Sequence, residues 1–498
     1  MDVVIPGPTR IFDVSRQWNV SCDREQLLET LRTATMRAAV LGRGVLASFT
    51  QPLEWCDAIR IFAGFKQLDL GDCFFWEHPA AQYALVGAGA AITIETPGIS
   101  HSSTLSTTWE ALLRDAVIKH ASLDARDEAY GPYLFGGFAF DALSSRTNLW
   151  AGFPDGLLIL PHILIRSDAD RVTLTINKDM HAHDDIEDAA REIVLTVMRL
   201  RQAVERISSS AIQEAAKQSQ VLSMQNIQSS SSWMKLVANT VKKIQRGTYE
   251  KVVLARGVMV TSPTSQADFD IPSILHRLRQ SNLNAFTFAL QRGKRYFVGA
   301  TPERLARTHN ALIETMALAG SAPRGVTDEQ DLRFGTKLLQ SLKNKQEHAI
   351  VVATICETLE KSCTEVWSAD TPRLLKLKNV QHLETPIIGE LIPGHTILDA
   401  ISSLHPTPAV GGFPHEAAFQ EIREHEQLDR GWYAGPVGWL DSHGNGEFAV
   451  ALRSALIHGN EAALFAGCGI VAHSSPQSEY TETCLKFRAM LRGLGGEM

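Results

Sequence analysis

An α+β fold is predicted by three features of the sequence. Many short β-like runs, such as "QYALVGAGAAITIET" and "DGLLILPHILIRS", are broken by Gly and Pro. Few long helical stretches stand among them, and "DDIEDAAREIVLTVMRLRQAVERI" (184–207) is one. At 498 residues, 44% hydrophobic and 21% charged, the chain can bury a large core in more than one lobe. Strands interleaved with occasional helices suit an α+β layering rather than a repeating βαβ one.

The elements divide the chain into an N-terminal portion (1–207), a linker (208–232) and a motif-dense region (233–498). In the first, "VGAGAA" (86–91) has the outline of a dinucleotide loop, but "ITIETPG" follows it where a helix N-terminus is needed. It is therefore expected to be a bend between strands. "HAH" (181–183) has no partner cluster for a metal and is expected in a solvated turn. Helix 184–207 should present Ile193, Val194, Val197, Met198 and Leu200 on one apolar face. The stretch 208–232 is rich in Ser and Gln and poor in aromatics, the composition of an exposed surface linker. Ser232 is placed to cap the next helix, with Trp233, Leu236, Val237, Val241 and Ile244 as its stripe and Gly247 as its stop.

A net charge of −7 and a pI near 6.2 argue against a nucleic-acid or anionic-membrane partner. No apolar run reaches the roughly 18 residues of a membrane helix, and "MDVVIPGPTR" lacks the layout of a signal peptide. Seven scattered cysteines without a CxxC pair fit reduced thiols, so a cytoplasmic setting is expected.

Polar groups enter the second half where a plain core would not choose them. In "GTYEKVVLARGVMV" (247–260), Val252 to Val260 reads as a strand apart from Arg256 and Gly257. Lys251 opens it, either as a strand end in water or as a half-buried amine that loses proton affinity. "FVGATPERLART" (297–308) ends a strand at Gly299 and sets Glu303 after a Pro turn. "TKLLQSLKNKQEHAIVVATICETLEK" (336–361) reads as one long helix with Leu338, Leu339, Leu342, Ile350, Val351 and Ile355 on its apolar side and Glu347 and His348 at its middle. In "FAGCGIVAHSSPQSEYTETCLKFRAML" (465–491), a strand should end at a bend formed by Gly467 and Gly469. A helix then starts at Ser475-Pro476. Glu479, Glu482 and Lys486 share a face of that helix, either as a solvated stripe or as oxygen ligands for a hard cation. Arg453 interrupts the strand-like "FAVALRSALI" (448–457), where it needs an anionic partner.

In this order the segments resemble the chorismate-utilising enzymes, and within them the isochorismate synthases of the menaquinone and catechol-siderophore type. The words that carry the resemblance are "KVVLAR" (251–256), "GATPERL" (299–305), "ALAGSAPRG" (317–325), "NVQHLETP" (379–386), "LHPTPAVGGFPHEAA" (404–418), "WYAGPVGW" (432–439), "ALRSA" (451–455) and "FAGCGIV…SEYTET" (465–483). The first half matches at "FGGFAFD" (135–141). The resemblance implies large, mainly antiparallel sheets in two layers with outer helices. It makes 233–498 the chorismate-binding catalytic region and the activity an isomerase (hydroxymutase) reaction. Water would add at ring carbon 2 of chorismate and the carbon 4 hydroxyl would leave. Lys251 would be the base and Glu303 the acid, on opposite sides of the ring. Glu347 and Glu482 would hold Mg2+, with Glu479 supporting through water. His382, Tyr433, Arg453 and Lys486 would contact the ring substituents and the carboxylates. Ser321 and the backbone at Gly320, Gly467 and Gly469 would line the carboxylate pockets. Cys468 departs from the usual alanine.

Aminating relatives typically carry Gln at the position of Lys251, and the aminodeoxychorismate enzyme places a nucleophilic lysine at that of Ala319. Both positions favour water, so no glutaminase subunit is expected and a monomer or weak dimer suffices. Salicylate synthases, which go on to eliminate pyruvate, are the alternative, with an inactive chorismate-binding protein as the reading from another class.

Overall fold

The computed structural model describes residues 22–121, 131–169, 171–262, 268–376 and 380–496. Two large sheets, one of 13 strands and one of 10, face each other across the main core. Phe74, on a strand of the first, stacks on Phe135 of the second with ring centroids 3.7 Å apart. The expected two-layer, mainly antiparallel α+β arrangement is what is found. The ladders that carry the site are antiparallel, and a parallel pair, Val45–Leu53 with Val117–His120, ends one sheet.

Strand alternation explains the layering. Leu46, Phe74 and Trp76 point into the inter-sheet core, while their neighbours Val45, Ala47, Cys73 and Phe75 point outward. The outward side chains bury against helices Arg24–Leu41, Ala58–Leu68, Ile186–Arg206, Ile271–Ser281 and Pro476–Gly493. Strands from both halves of the chain share each sheet: Phe286–Arg292 pairs with Cys73–His78, and Pro436–Asp441 with Tyr133–Phe138.

Helix Ile186–Arg206 forms as expected, although its buried face is Ala189, Ala190, Ile193, Val197, Leu200, Ala203 and Val204, and Met198 is exposed. The "VGAGAA" glycines do make a bend. Gly89 takes φ +73° and carries the chain from Tyr83–Ala88 in one sheet to Ile92–Thr96 in the other. His181 and His183 are exposed.

Several local expectations are corrected. Segment 208–232 has no buried residue, yet it folds into helix Ser209–Lys217 and strand Ser223–Asn226. That strand pairs with Val258–Thr261. The next helix is Ser230–Gln245, capped by Ser229 rather than Ser232, because Ser229 Oγ accepts the Ser232 N–H at 3.1 Å. The expected long helix 336–361 is two, Asp328–Gln340 and Leu342–Leu359. Ser341 breaks it by capping the second, which leaves Leu342 77% exposed instead of on an apolar face. Ile350 is also exposed.

Helix Ser209–Lys217 is held through its C-terminal carbonyls. The Arg277 guanidinium donates to Ala215, Ala216 and Gln218 C=O at 2.9, 2.7 and 3.0 Å, and to Gly493 C=O at 3.1 Å. Such charge-assisted caps are worth about 1–3 kcal/mol each. Arg277→Ala should therefore open 208–222 to limited proteolysis at least several-fold faster than wild type. Unchanged cleavage there would show that strand pairing alone holds the segment.

Candidate active site

Lys251 begins strand Lys251–Thr261, and its backbone faces away from the neighbouring strand Glu461–Ile470. That neighbour runs straight through Gly467 and Gly469 to Ile470, where a terminating bend was expected. The glycines serve side-chain space instead. A Cβ on Gly469 would lie 2.9 Å from Lys251 Cε, and one on Gly467 would lie 3.3 Å from Tyr433 Oη. Lys251 thus lies across bare backbone. Cys468, between them, points the other way by strand alternation; its Sγ is 3.9 Å from Glu479 C=O of the C-terminal helix, so the departure at this position leaves the glycine face untouched.

The Lys251 side chain is 19% exposed, with Nζ 3.7 Å from Glu347 Oε1. Burial pushes its amine below the ordinary lysine range, opposed by Glu347 and Glu303. Glu303 follows Pro302 between strands Arg295–Thr301 and Arg304–His309. Its backbone is fixed on both sides, its N–H donating to Thr301 Oγ1 at 3.3 Å and its C=O accepting from Val450 N–H at 3.0 Å. Burial raises its carboxyl to about 7 against the pull of Lys251, Lys486 and Arg453.

Arg453 lies between strands Gly446–Val450 and Ser454–His458 at φ +47°, a left-handed backbone that turns it out of the ladder. Burial lowers the proton affinity of its guanidinium and nearby Glu303 opposes this, but no described carboxylate forms an ion pair with it. Tyr433 is buried and its ring stacks on Phe465 at 5.3 Å between centroids.

His382 sits on strand Val380–Leu391 opposite Ser321, whose Oγ is 2.8 Å from its Nδ1. The register shifts there at Gly320, which takes φ +74°. Burial, with Arg453 and Lys486, drives the imidazole down to about 4. It is neutral near pH 7 and a hydrogen-bonding group rather than a proton donor.

Two helices complete the site. On Leu342–Leu359, buried His348 holds Thr385 Oγ1 at 2.7 Å through Nε2, which fixes the turn that bears Glu347. The sequence marks His348 only as the neighbour of Glu347, not as an anchor, and it does not mark Asn344, whose Cβ packs near Gly320. The only sequence signal was a histidine beside a carboxylate in an apolar run. On Pro476–Gly493, Glu482 pairs with Lys486 at 2.8 Å, and Lys486 Nζ donates to Gly467 C=O at 2.7 Å. Glu479 lies one turn earlier, beside Cys468.

Among the described residues no three His, Cys, Asp or Glu side chains converge as a metal cage. Magnesium usually keeps several waters and takes one or two protein carboxylates. Glu347 and Glu482, 37% and 50% exposed and each facing a lysine, fit that donor set.

A family model described as "Chorismate binding enzyme" matches residues 31–495. The chain belongs to that family. Isochorismate synthase MenF of Bacillus subtilis (strain 168) is 36% identical over 476 residues, 95% of this chain and 98% of that protein. A salicylate biosynthesis isochorismate synthase of Pseudomonas aeruginosa is 36% identical over 470 residues, 94% of each. The solved structure of MenF, the menaquinone-specific isochorismate synthase of Escherichia coli, is 25% identical with a TM-score of 0.73, covering 93% of this chain and 100% of that one. Anthranilate synthase component I from Streptococcus pneumoniae TIGR4 shares the fold at 20% identity and a TM-score of 0.67. In this chorismate-binding enzyme the residue at 319 is a buried alanine, which offers no nucleophile.

Proposed function

We propose that the protein is an isochorismate synthase, converting chorismate to isochorismate in the presence of magnesium. The observation that carries this reading is the buried pair of Lys251 and Glu303, whose affinities for a proton are shifted in opposite directions by burial. A base and an acid so tuned suit a reaction that adds water at one ring carbon and removes hydroxyl at another. The isochorismate synthases that match nearly the whole chain support it further.

In this mechanism the neutral Lys251 amine takes a proton from the water that bonds to carbon 2. Glu303 gives its proton to the carbon 4 oxygen, which leaves as water while the ring double bonds shift. One water enters and one departs, so the reaction is balanced and reversible, with the two residues exchanging roles. Arg453 and Lys486 bind the substrate carboxylates, with Ser321 and the backbone at Gly320, Gly467 and Gly469 lining their pockets. His382 and Tyr433 orient the ring substituents. Glu347 and Glu482 would hold magnesium, with Glu479 assisting. When bound, the metal would supply positive charge that draws electron density from the ring.

Water as the nucleophile makes a glutaminase subunit unnecessary. No described helix is long and apolar enough to cross a membrane. Seven cysteines, none in a disulfide, support a reducing cytoplasmic setting.

The test is incubation with chorismate and magnesium, with products separated by chromatography. Isochorismate alone is expected; salicylate with pyruvate, or no turnover, would overturn the assignment. Lys251→Ala should lower kcat about a thousandfold with KM for chorismate little changed. Glu303→Gln should slow both directions equally. A Lys251→Ala enzyme with near-wild-type turnover would return that lysine to a strand-end role.

The pH dependence follows from the two shifts. The working form has a neutral amine and a protonated carboxyl, one proton between them. As pH falls through about 7, the value to which Glu303 is raised, both groups become protonated and the amine is lost as a base. As pH rises through the depressed value of Lys251, both groups are deprotonated and the acid is lost. kcat/KM should trace a bell with its acidic limb near 7 and its alkaline limb below the ordinary lysine value of about 10.4. A profile still rising at about pH 10 would contradict the lysine assignment.

A further inference from the structure

Among the described residues, the strand that carries Lys251 has no strand neighbour on its outer edge between Val253 and Gly257, although strand Glu461–Ile470 pairs with its inner edge throughout. On its outer edge, strand Gly412–Phe413 pairs with Lys251 and Val252, and strand Ser223–Asn226 begins pairing only at Val258. Between them the exposed backbone groups are taken one at a time. Val253 N–H donates to Gly411 C=O at 2.9 Å, and Gly257 C=O accepts from Ile227 N–H at 3.0 Å. Three more are taken by side chains. Arg430 Nη2 donates to Val253 C=O at 2.7 Å, Ala255 N–H donates to Glu426 Oε2 at 2.7 Å, and Trp233 Nε1 donates to Ala255 C=O at 3.1 Å.

Arg430 and Glu426 form a two-pronged ion pair, Nε to Oε1 at 2.6 Å and Nη2 to Oε2 at 2.5 Å, with side chains 4% and 1% exposed. The same guanidinium donates to Val410 C=O at 3.2 Å and lies 4.2 Å from the Phe140 ring centroid. Its own backbone C=O accepts from Tyr433 N–H at 2.9 Å. One buried pair therefore ties together the lysine strand, the glycine-rich segment that ends at Phe413, and the turn that bears Tyr433. A side-chain pair in place of a strand also pins register, since a slip of one residue would turn Lys251 to the opposite face.

We propose that Arg430 and Glu426 are positioning residues for the reaction: they substitute for the missing strand and hold Lys251 at the depth from which it reaches water. This rests on the isochorismate synthase reading. An alternative role, a staple for the fold alone, makes a different prediction. Misplacing a reacting group by about 1 Å costs on the order of a hundredfold in rate, whereas a staple lowers stability without touching kcat.

The experiment compares Arg430→Lys with Arg279→Lys in the full-length enzyme, measuring Tm, kcat and KM for chorismate. Arg279, on helix Ile271–Ser281, also sits in a substantially buried ion pair, with Asp57 at 2.6 Å and with Glu77 of strand Cys73–His78 at 2.8 Å. Lysine keeps the charge in both variants and loses the planar fork. Both should lower Tm. Only Arg430→Lys should lower kcat, by about 10- to 100-fold, with KM within about twofold of wild type. Equal kcat in the two folded variants, or loss in KM alone, overturns the proposal. If Arg430→Lys does not fold, Trp233→Phe carries the test, because it removes one donor in the same gap and keeps most of the ring. A kcat loss of about fivefold is then expected, and wild-type kcat overturns the proposal. Wild-type enzyme that makes no isochorismate would instead reject the functional reading on which the proposal stands.

Discussion

Removing a lysine amine from water is the constraint on which the rest of the site depends. A charged amine in a low-dielectric pocket is disfavoured, so burial works on Lys251 towards its neutral form. The same burial works on Glu303 towards its protonated form. Both penalties move a proton from amine to carboxyl, which is the arrangement a base and an acid require. Attraction between them opposes this. Two unit charges 4 Å apart at an effective dielectric of 20 attract by about 4 kcal/mol, enough to restore the ordinary ion pair if they touched. Lys251 instead has its ion pair with Glu347, on a different helix. Arg453 and Lys486 limit how far Glu303 rises, and burial together with these two cations drives the His382 imidazole down.

The fold supplies that pocket by bringing distant strands edge to edge. Glu303 leaves the larger sheet between two strands, one of which pairs with the strand that follows Arg453. Lys251 lies across the glycine strand, which in turn takes the Lys486 ammonium on its Gly467 carbonyl. Strands from residues 45–180 widen both sheets and share their cores.

Much of this is legible in the residues themselves. A lysine ahead of a valine ladder, an arginine inside an apolar strand and two glutamates with a lysine on one helix face each break the local pattern, and each belongs to the candidate site. The longer strands and the 184–207 helix were legible from periodicity. What was hidden depended on partners far away in sequence. Gly467 and Gly469 look like a bend, yet they are strand residues whose missing side chains make room for Lys251 and Tyr433. Segment 208–232 has linker composition, but Arg277 and the Val258–Thr261 edge fold it. Ser341 sits in a run of helix formers, and only its cap to Asn344 N–H turns one helix into two. Glu426 and Arg430 resemble a surface i, i+4 pair and are instead buried against a strand edge.

In the proposed reaction water enters at one ring carbon while a different oxygen leaves. Conversion of chorismate in water enriched in oxygen-18, with product mass measured before appreciable reversal, tests it most directly. One solvent oxygen is expected in every isochorismate formed, at carbon 2, with the original carbon 4 oxygen released. Isochorismate that retains the substrate's hydroxyl oxygen would mean an internal transfer, and the opposed roles of Lys251 and Glu303 would have to be abandoned.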